Sequence, residues 1–227
     1  MKTIAVVIPS YNQQDFLCEA LDSIVAQKRK PDEFIVVDDG STDSSLEYAK
    51  SYEKEGVKVI SQVNKGLSSA RNTGIMNTST DYIIFLDADD MLMENALERI
   101  MEVADKTDAD VIAPSFQCFG ENQGVVILQP QVILEDFIGG NRLGYFSAVK
   151  RSVLLEIGGY SPRMAEGYED LHIWFDIFKR GHSLVTLQDV LVLYRVKKES
   201  MYKEAVKYHD KLMKQIKKDH PEAYNHA

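Results

Sequence analysis

Three carboxylates follow one apolar segment of the chain within four positions. Asp87, Asp89 and Asp90 come directly after Tyr82–Leu86, in the sequence Y-I-I-F-L-D-A-D-D. Because carboxylates this close repel one another, a positive group is expected beside them. Their oxygens suit hard cations such as Mg²⁺ or Mn²⁺, and such a cation could bridge Asp87 and Asp89 to a departing diphosphate. Asp90 could instead cap the helix that follows.

Two more apolar segments end in polar clusters, Pro9-Ser10-Tyr11-Asn12 and Asp38-Asp39-Gly40-Ser41. Either Asp38 or Asp39 could accept hydrogen bonds from a nucleobase or a ribose, and Tyr11 could flank a base. An isolated acidic turn is more often a helix cap, and an isolated Tyr is as often a packing residue. Because the carboxyl ends of parallel strands meet at one edge of a sheet, three such clusters together favour a ligand site.

The segment N-K-G-L-S-S-A-R-N-T-G, residues 64–74, combines a predicted helix start with positive charge. Gly66 opens this helix after Lys65, and Arg71 lies about one and a half turns inside it. The free N–H groups and the positive end of the helix dipole favour an anion there, to which Arg71 would add a fixed charge. The alternative is a surface Arg on a capped helix.

The elements that must position these residues alternate along the first half of the chain. Continuous apolar strands imply burial on both faces, and strand–helix alternation predicts a parallel α/β sheet. The predicted strands are Ile4–Ile8, Phe34–Val37, Val57–Ser61, Tyr82–Leu86 and Asp110–Phe116, and the predicted helices are Asp15–Gln27, Ser44–Lys54, Leu67–Asn77 and Glu94–Thr107.

The pattern is looser in the second half, and we find no repeat or linker there. One domain with a Lys-rich helical tail is therefore predicted. The expected elements are a loop or hairpin at Cys118–Gln131, a short helix near Val132–Ile138, a strand at Tyr145–Val149, helices at Arg151–Ile157 and Glu169–Lys179, a strand at Leu187–Arg195, and a helical segment from Lys197 onward.

Composition narrows the function classes. The 227 residues include 26 Lys and Arg against 35 Asp and Glu, a formal net charge of −9, so a broad nucleic-acid surface is not expected. Cys18 and Cys118 form neither a metal spacing nor a disulfide framework, which favours a reducing cytoplasm. No segment reaches the ~20 apolar residues of a membrane span, and the start is too short for a signal peptide.

Taken in order, these motifs resemble those of glycosyltransferase family 2, whose members are inverting, nucleotide-sugar-dependent enzymes with a GT-A fold. The segments are V-V-I-P-S-Y-N, V-V-D-D-G-S-T-D, N-K-G-L-S-S-A-R-N-T-G and F-L-D-A-D-D, followed by G-G-Y and G-Y-E-D-L-H-I-W. The resemblance runs from Ile4 to about Arg195. It implies a GT-A domain over residues 1–198, with a donor half to about 116 and an acceptor half from about 117, and then a helical tail at 199–227.

The resemblance also implies roles for individual residues. Asp87 and Asp89 match the D-X-D that holds a diphosphate through Mn²⁺ or Mg²⁺. Asp170 matches the catalytic base, with Glu169 supporting it. The residues implied for nucleotide binding are Pro9, Ser10, Tyr11, Asn12, Asp38, Asp39, Lys65, Gly66, Arg71, Asp87 and Ala88.

The implied reaction moves one sugar, with inversion, from a nucleotide-sugar to a hydroxyl of a glycan or lipid-linked acceptor. By family base rate the expected donor is a UDP-hexose. The chain lacks the Q-X-X-R-W of processive relatives, which indicates single transfer. Many relatives place a His after the last strand to complete the metal site, whereas Lys197 and Lys198 stand there in this chain. Arg195 or one of these Lys is therefore a candidate for contacting the diphosphate.

Three other functions were weighed. An NAD-dependent dehydrogenase needs G-X-G-X-X-G after the first strand, where this chain has P-S-Y-N. A sugar-phosphate nucleotidyltransferase needs a Gly-rich basic loop at the same place. An inactive nucleotide-sugar-binding module remains the main alternative, against which Asp87-X-Asp89 and Glu169-Asp170 argue.

The tail allows two interpretations. Its Lys-rich face could lie on an anionic membrane and bring the enzyme to the inner face of that membrane. Alternatively the tail docks on the domain, which we favour because its apolar stripe is modest and lacks Trp and Phe. The Lys face comprises Lys203, Lys207, Lys211, Lys214 and Lys218, and the opposite face Tyr202, Val206, His209, Met213 and Ile216.

Overall fold

The computed structural model describes residues 1–224, with the side chain of Tyr202 excepted. Its strands are β1 (Ile4–Ser10), β2 (Glu33–Asp38), β3 (Val57–Ser61), β4 (Tyr82–Phe85), β5 (Met91–Leu92), β6 (Val111–Gly120), β7 (Gly124–Val126), β8 (Ala148–Lys150) and β9 (Leu184–Val196). Its α-helices are α1 (Leu17–Val25), α2 (Ser45–Ser51), α3 (Leu67–Met76), α4 (Ala96–Thr107), α5 (Arg151–Glu156), α6 (Glu169–Phe178), α7 (Met201–Val206) and α8 (His209–Asp219).

One sheet runs through the molecule in the order β3-β2-β1-β4-β8-β6-β9-β5, with β7 paired to β6. The first four strands are parallel, whereas β8 runs antiparallel to both of its neighbours. Because β2, β1 and β4 are adjacent and parallel, the polar clusters that follow them lie at one edge of the sheet. The mixed α/β sheet agrees with the fold that the family resemblance implies.

Helices cover both faces of the sheet, as the continuous apolar strands predict. Successive β1 residues point to opposite faces. Ile4, Val6 and Ile8 pack in a core layer with residues of α1 and α4, while Ala5 and Val7 pack in a second layer with residues of α3, α5 and α6. The rigid half-sheet that carries the site is therefore buried on both sides.

Helix α3 approaches β1 closely at Gly74. A Cβ added there would lie 2.4 Å from Cγ1 of Val7. We expect Gly74→Ala to lower the free energy of unfolding by about 1–2 kcal/mol, because the cost of overpacking exceeds the gain in helix propensity. Urea denaturation measures the change. Gly124→Ala is the matched control, because its Cβ would meet open space; an equal loss in the two variants would contradict the close-contact explanation.

The predicted elements of the first half are confirmed, with ends shifted by a few residues. In the second half the strand predicted at Tyr145–Val149 was wrong at its start, because Tyr145 lies in a turn and β8 begins at Ala148. The hydroxyl of Tyr145 donates to Asp90, which draws this turn toward β4. The segment near Val132–Ile138 is a 3-10 helix at Leu134–Gly139, and β5 was not predicted.

The tail packs on the domain. Leu212 and Ile216 are buried in the core layer that contains Trp174. The helix begins at Met201 rather than Lys197, because β9 continues to Val196 and the Ser200 side chain accepts a hydrogen bond from the N–H of Lys203.

A break between α7 and α8 divides the apolar stripe that was predicted for the tail. Met213 and Ile216 face the domain, whereas Val206 and His209 are exposed. Tyr202, assigned to the same stripe, lies outside the described side chains. Within residues 1–224, no helix has the length and apolar content needed to cross a bilayer. Contact of the tail with a membrane stays a prediction.

Candidate active site

Two adjoining cavities open at the edge of the sheet where the polar clusters meet. The smaller, about 500 Å³, is lined by residues that follow β1, β2 and β4 and by the start of α6. The larger, about 1350 Å³, lies between residues 138–146, β9 and the tail helices α7 and α8. Asp170, Tyr168 and Lys197 line both cavities. A group that bridges two cavities can act on molecules bound in each.

Most of the residues predicted for the site line the smaller cavity. These are Pro9, Ser10, Tyr11, Asp39, Gly66, Asp87, Ala88, Asp89, Glu169 and Asp170. The other four, Asn12, Asp38, Lys65 and Arg71, do not line it. Asp38 is buried and accepts hydrogen bonds from Ser41 N (3.3 Å) and the Ser61 hydroxyl (3.2 Å). Contact of any of these residues with a nucleotide stays a prediction.

Asp39 fixes the loop that leads into α3. Its carboxylate accepts hydrogen bonds from the backbone N–H of Lys65 (3.0 Å) and Gly66 (2.7 Å), and from the Gln62 side chain (2.7 Å). Two backbone N–H groups just before the helix are thus taken by the protein itself. Gly66 has φ +86°, a conformation that favours Gly. Asp39 therefore sets the shape of the cavity wall.

Arg71 connects the end of β4 to the start of α6. Its guanidinium is fully buried and donates to Asp87 (2.8 Å) and to Glu169 (2.6 Å). The rings of Tyr145 and Tyr160 flank it at 5.1 and 5.2 Å. Burial raises the pKa of Asp87 to about 6, and the charge of Arg71 opposes this rise. The positive charge of Arg71, which the sequence suggested for binding an anionic ligand, is instead paired with these two carboxylates.

Asp90 does not cap a helix, because α4 begins only at Ala96. It is buried and accepts hydrogen bonds from the Tyr145 hydroxyl and from Arg195 N (2.6 Å). Burial raises the pKa of Asp90 well above its usual value. Asp90 thus ties the end of β4 to β9.

Of the three carboxylates that follow β4, Asp89 forms an ion pair with a Lys. Its Oδ2 lies 2.5 Å from Nζ of Lys197, and its carbonyl accepts a hydrogen bond from Nε of Arg195 (2.8 Å). The positive groups expected beside these carboxylates are therefore present in the chain: Arg71 at Asp87 and Lys197 at Asp89.

A divalent cation does not fit this arrangement as it stands. Both D-X-D side chains are already paired with cationic side chains. Mg²⁺ prefers six oxygen ligands, and two carboxylates alone would leave most of these positions to other ligands. Among residues 1–224, the group of three His, Cys, Asp or Glu side chains close enough to share a metal is elsewhere: His172, Asp176 and His220. There Lys179 Nζ already lies 2.9 Å from His220 Nδ1. Mn²⁺ or Mg²⁺ at Asp87 and Asp89 stays a prediction.

Asp170 is held at the junction of the cavities. Asn141 Nδ2 donates to its Oδ2 at 2.6 Å, and the N–H of Leu171 donates to its Oδ1 at 2.7 Å. Burial, and then the charge of Glu169, raises the pKa of Asp170 to about 7. Sequence reasoning missed Asn141, for which the G-G-N turn was the only local signal.

The comparison with known families decides the class of the protein. The family model described as Glycosyl transferase family 2 matches residues 5–171. The chain belongs to this family. Its members include curated relatives named as glycosyltransferases, and we treat the chain as a family 2 glycosyltransferase from here on.

Two relatives illustrate the similarity. Glycosyltransferase GlyA of Streptococcus pneumoniae is 32% identical over 178 residues, which are 78% of this chain and 24% of GlyA. The putative teichuronic acid biosynthesis glycosyltransferase TuaG of Bacillus subtilis is 27% identical over 211 residues, 87% of this chain and 81% of TuaG.

A solved structure shares the fold of this family 2 glycosyltransferase. The crystal structure of S. aureus TarS 1-349 in complex with UDP-GlcNAc has a TM-score of 0.77 at 20% identity, covering 88% of this chain and 60% of that one.

The chain spans only 24%, 33% and 41% of the length of three of the curated relatives it matches.

Proposed function

We propose that this glycosyltransferase moves a single sugar from a nucleoside-diphosphate-sugar to a hydroxyl of a glycan or lipid-linked acceptor, with inversion at the anomeric carbon. The observation that carries the proposal is the position of Asp170, whose side chain lines both the smaller and the larger cavity. The donor occupies the smaller cavity and the acceptor the larger one.

The reaction then needs one base and one site for the leaving group. The acceptor hydroxyl attacks the anomeric carbon from the larger cavity, and its proton passes to the Asp170 carboxylate. The bond between the anomeric carbon and the diphosphate oxygen breaks, and the electron pair leaves with the nucleoside diphosphate. Attack from the face opposite the leaving group inverts the anomeric configuration. Asn141 holds the base in place through its 2.6 Å hydrogen bond.

A UDP-sugar is the first donor to test. It is the donor expected from the family resemblance, and crystal structures of TarS 1-349 are complexes with UDP-GlcNAc and with UDP. At 20–21% identity these neighbours support the fold, so the nucleotide and the sugar are proposals for this chain.

The larger cavity supports a negatively charged acceptor. Six Lys and Arg side chains line it against the two carboxylates of Asp170 and Asp210, although the whole protein carries a net charge of −9. Opposite charge attracts the correct acceptor and disfavours neutral competitors. An acceptor with phosphate or carboxylate groups fits this wall, as in a polymer or lipid-linked intermediate of polysaccharide synthesis. The six residues are Arg142, Arg195, Lys197, Lys203, Lys214 and Lys217.

A panel of UDP-, GDP- and dTDP-sugars tests the donor proposal, with a CMP-sugar, which carries a single phosphate, as the negative control. We expect one nucleotide class to raise the melting temperature, and its sugar form to release nucleoside diphosphate slowly to water and faster with acceptor. Asp170→Asn should bind the same nucleotide and release nucleoside diphosphate about 10²–10⁴-fold more slowly in the presence of acceptor. Binding without release in any combination would favour the inactive binding module instead.

A cytoplasmic location and membrane contact through the tail stay predictions.

A further inference from the structure

Lys197 places an ammonium group where the family resemblance predicts a metal ion. Its Nζ lies 2.5 Å from Oδ2 of Asp89, and the two side chains are 25% and 18% exposed. The residue stands after the last strand, near the position where many relatives carry a metal-binding His. Its side chain lines the smaller cavity beside Asp87 and Asp89, and the larger cavity as well.

The surroundings of Lys197 hold it on this side of the cavity. The ring of Phe16 lies 5.1 Å from its Nζ, within the range of a cation–π contact. Arg195 lies over the same ring at 4.9 Å and over the ring of Phe119 at 4.4 Å, and it donates to the carbonyl of Asp89. Lys197 is therefore held at the carboxylate of Asp89, and Arg195 at its backbone carbonyl.

This arrangement disfavours a divalent ion at Asp89. An ion bound to Oδ2 would displace the ammonium of Lys197 or lie in contact with it, at a cost in like-charge repulsion. Asp87 already accepts a hydrogen bond from Arg71, and Asp90 accepts hydrogen bonds from Tyr145 and from a backbone N–H. No further His, Asp or Glu of residues 1–224 joins these carboxylates in a group of three.

We propose that Lys197 takes the place of the metal ion, so that sugar transfer proceeds without a divalent cation. An ammonium has three N–H donors, so Lys197 can keep its contact with Asp89 and donate to an oxygen of the diphosphate. As the bond to the anomeric carbon breaks, the charge that develops on the diphosphate is stabilised by Lys197, and no proton needs to move. This proposal rests on the proposed function, because it assigns a residue to the leaving group.

The test compares the parent enzyme with Lys197→Met and Lys197→His in excess EDTA and in Mn²⁺ or Mg²⁺. We expect EDTA to change the rate of the parent by less than about twofold. Loss of one group that stabilises developing charge typically lowers kcat by about 10²–10³-fold. We expect this loss for Lys197→Met, and we expect that added Mn²⁺ or Mg²⁺ will not restore the rate. Lys197→His should gain dependence on Mn²⁺. Lys198→Met is the matched control, because Lys198 is exposed and lines neither cavity.

Binding of UDP in EDTA, measured by calorimetry, gives a second readout that does not need turnover. The parent should bind UDP, and Lys197→Met should bind it at least tenfold more weakly with an unchanged melting temperature. A parent enzyme that EDTA inactivates and Mn²⁺ restores would overturn the proposal, as would full activity in Lys197→Met. If UDP and the other nucleoside diphosphates all fail to bind the parent, the proposed function fails too, and with it the role of Lys197.

Discussion

Asp170→Asn is expected to lower the rate of sugar transfer by about 10²–10⁴-fold, the usual contribution of a general base. The amide keeps the shape of the side chain but cannot take a proton from the acceptor hydroxyl. Affinity for the donor should change by no more than a few-fold, because the replacement leaves the shape of the smaller cavity unchanged. Calorimetry with the donor and a transfer assay on the same preparation measure both quantities.

The pH dependence of the parent follows from the raised pKa of Asp170, which is about 7. The carboxylate must be ionised to act, so kcat/KM should rise with pH through about 7 and then level off. In the native state Asp170 binds its proton more tightly than in the unfolded state, so its contribution to stability is lost as pH rises between the two pKa values. Asp170→Asn should therefore raise the free energy of unfolding more at pH 8 than at pH 5.

Asp210→Asn is the control for this prediction. It makes the same change of charge on another wall of the larger cavity, at an exposed residue. Its transfer rate should stay within a few-fold of the parent. If Asp170→Asn also transfers within a few-fold, the base lies elsewhere; if it loses donor binding as well, Asp170 belongs to the nucleotide site.

Arg71→Met is expected to lower the free energy of unfolding by about 3–5 kcal/mol, the usual cost of removing one partner from a buried ion pair. The guanidinium is fully buried and is the cation that Asp87 and Glu169 share. Without it the two carboxylates would remain close together in a site of low dielectric. Because domains of this kind are stable by only about 5–15 kcal/mol, the effect should be obvious in urea denaturation.

Two further variants isolate the cause of this loss. Arg99→Met breaks ion pairs of Glu102 and Asp189 at the surface, where the expected loss is at most about 1 kcal/mol. Adding Asp87→Asn and Glu169→Gln to Arg71→Met should recover part of the stability, because no uncompensated charge would remain. Equal losses for Arg71→Met and Arg99→Met would show that the buried charge is not what matters.

The first half of the fold was predictable because its signals are local. Strands such as Ile4–Ser10 are continuous apolar segments, and the helices between them have clear periodicity. The strands β5 and β8 were missed or misplaced because they span two and three residues, too few for any pattern to emerge. They exist because the sheet around them supplies hydrogen-bond partners, which no local sequence signal reports.

The site was predictable only in part, for the same reason. The spacing of Asp87, Asp89 and Asp90 predicted a positive group beside them, but not which one. Each carboxylate has a partner distant along the chain: Arg71 sixteen residues before Asp87, Tyr145 fifty-five residues after Asp90, and Lys197 after the last strand. Only the folded sheet brings these residues together.

The proposed binding of donor and acceptor in separate cavities has a consequence for how such enzymes diversify. Every residue that lines the larger cavity lies at position 116 or later, and α8 forms part of its wall while burying Leu212 and Ile216 in the core. The strand ends that carry Pro9 and Asp39 contribute only to the smaller cavity. Under the proposed function, selectivity for the acceptor can therefore change through α8, whose residues line only the larger cavity, while the residues of the smaller cavity, Lys197 included, keep the same nucleotide recognition.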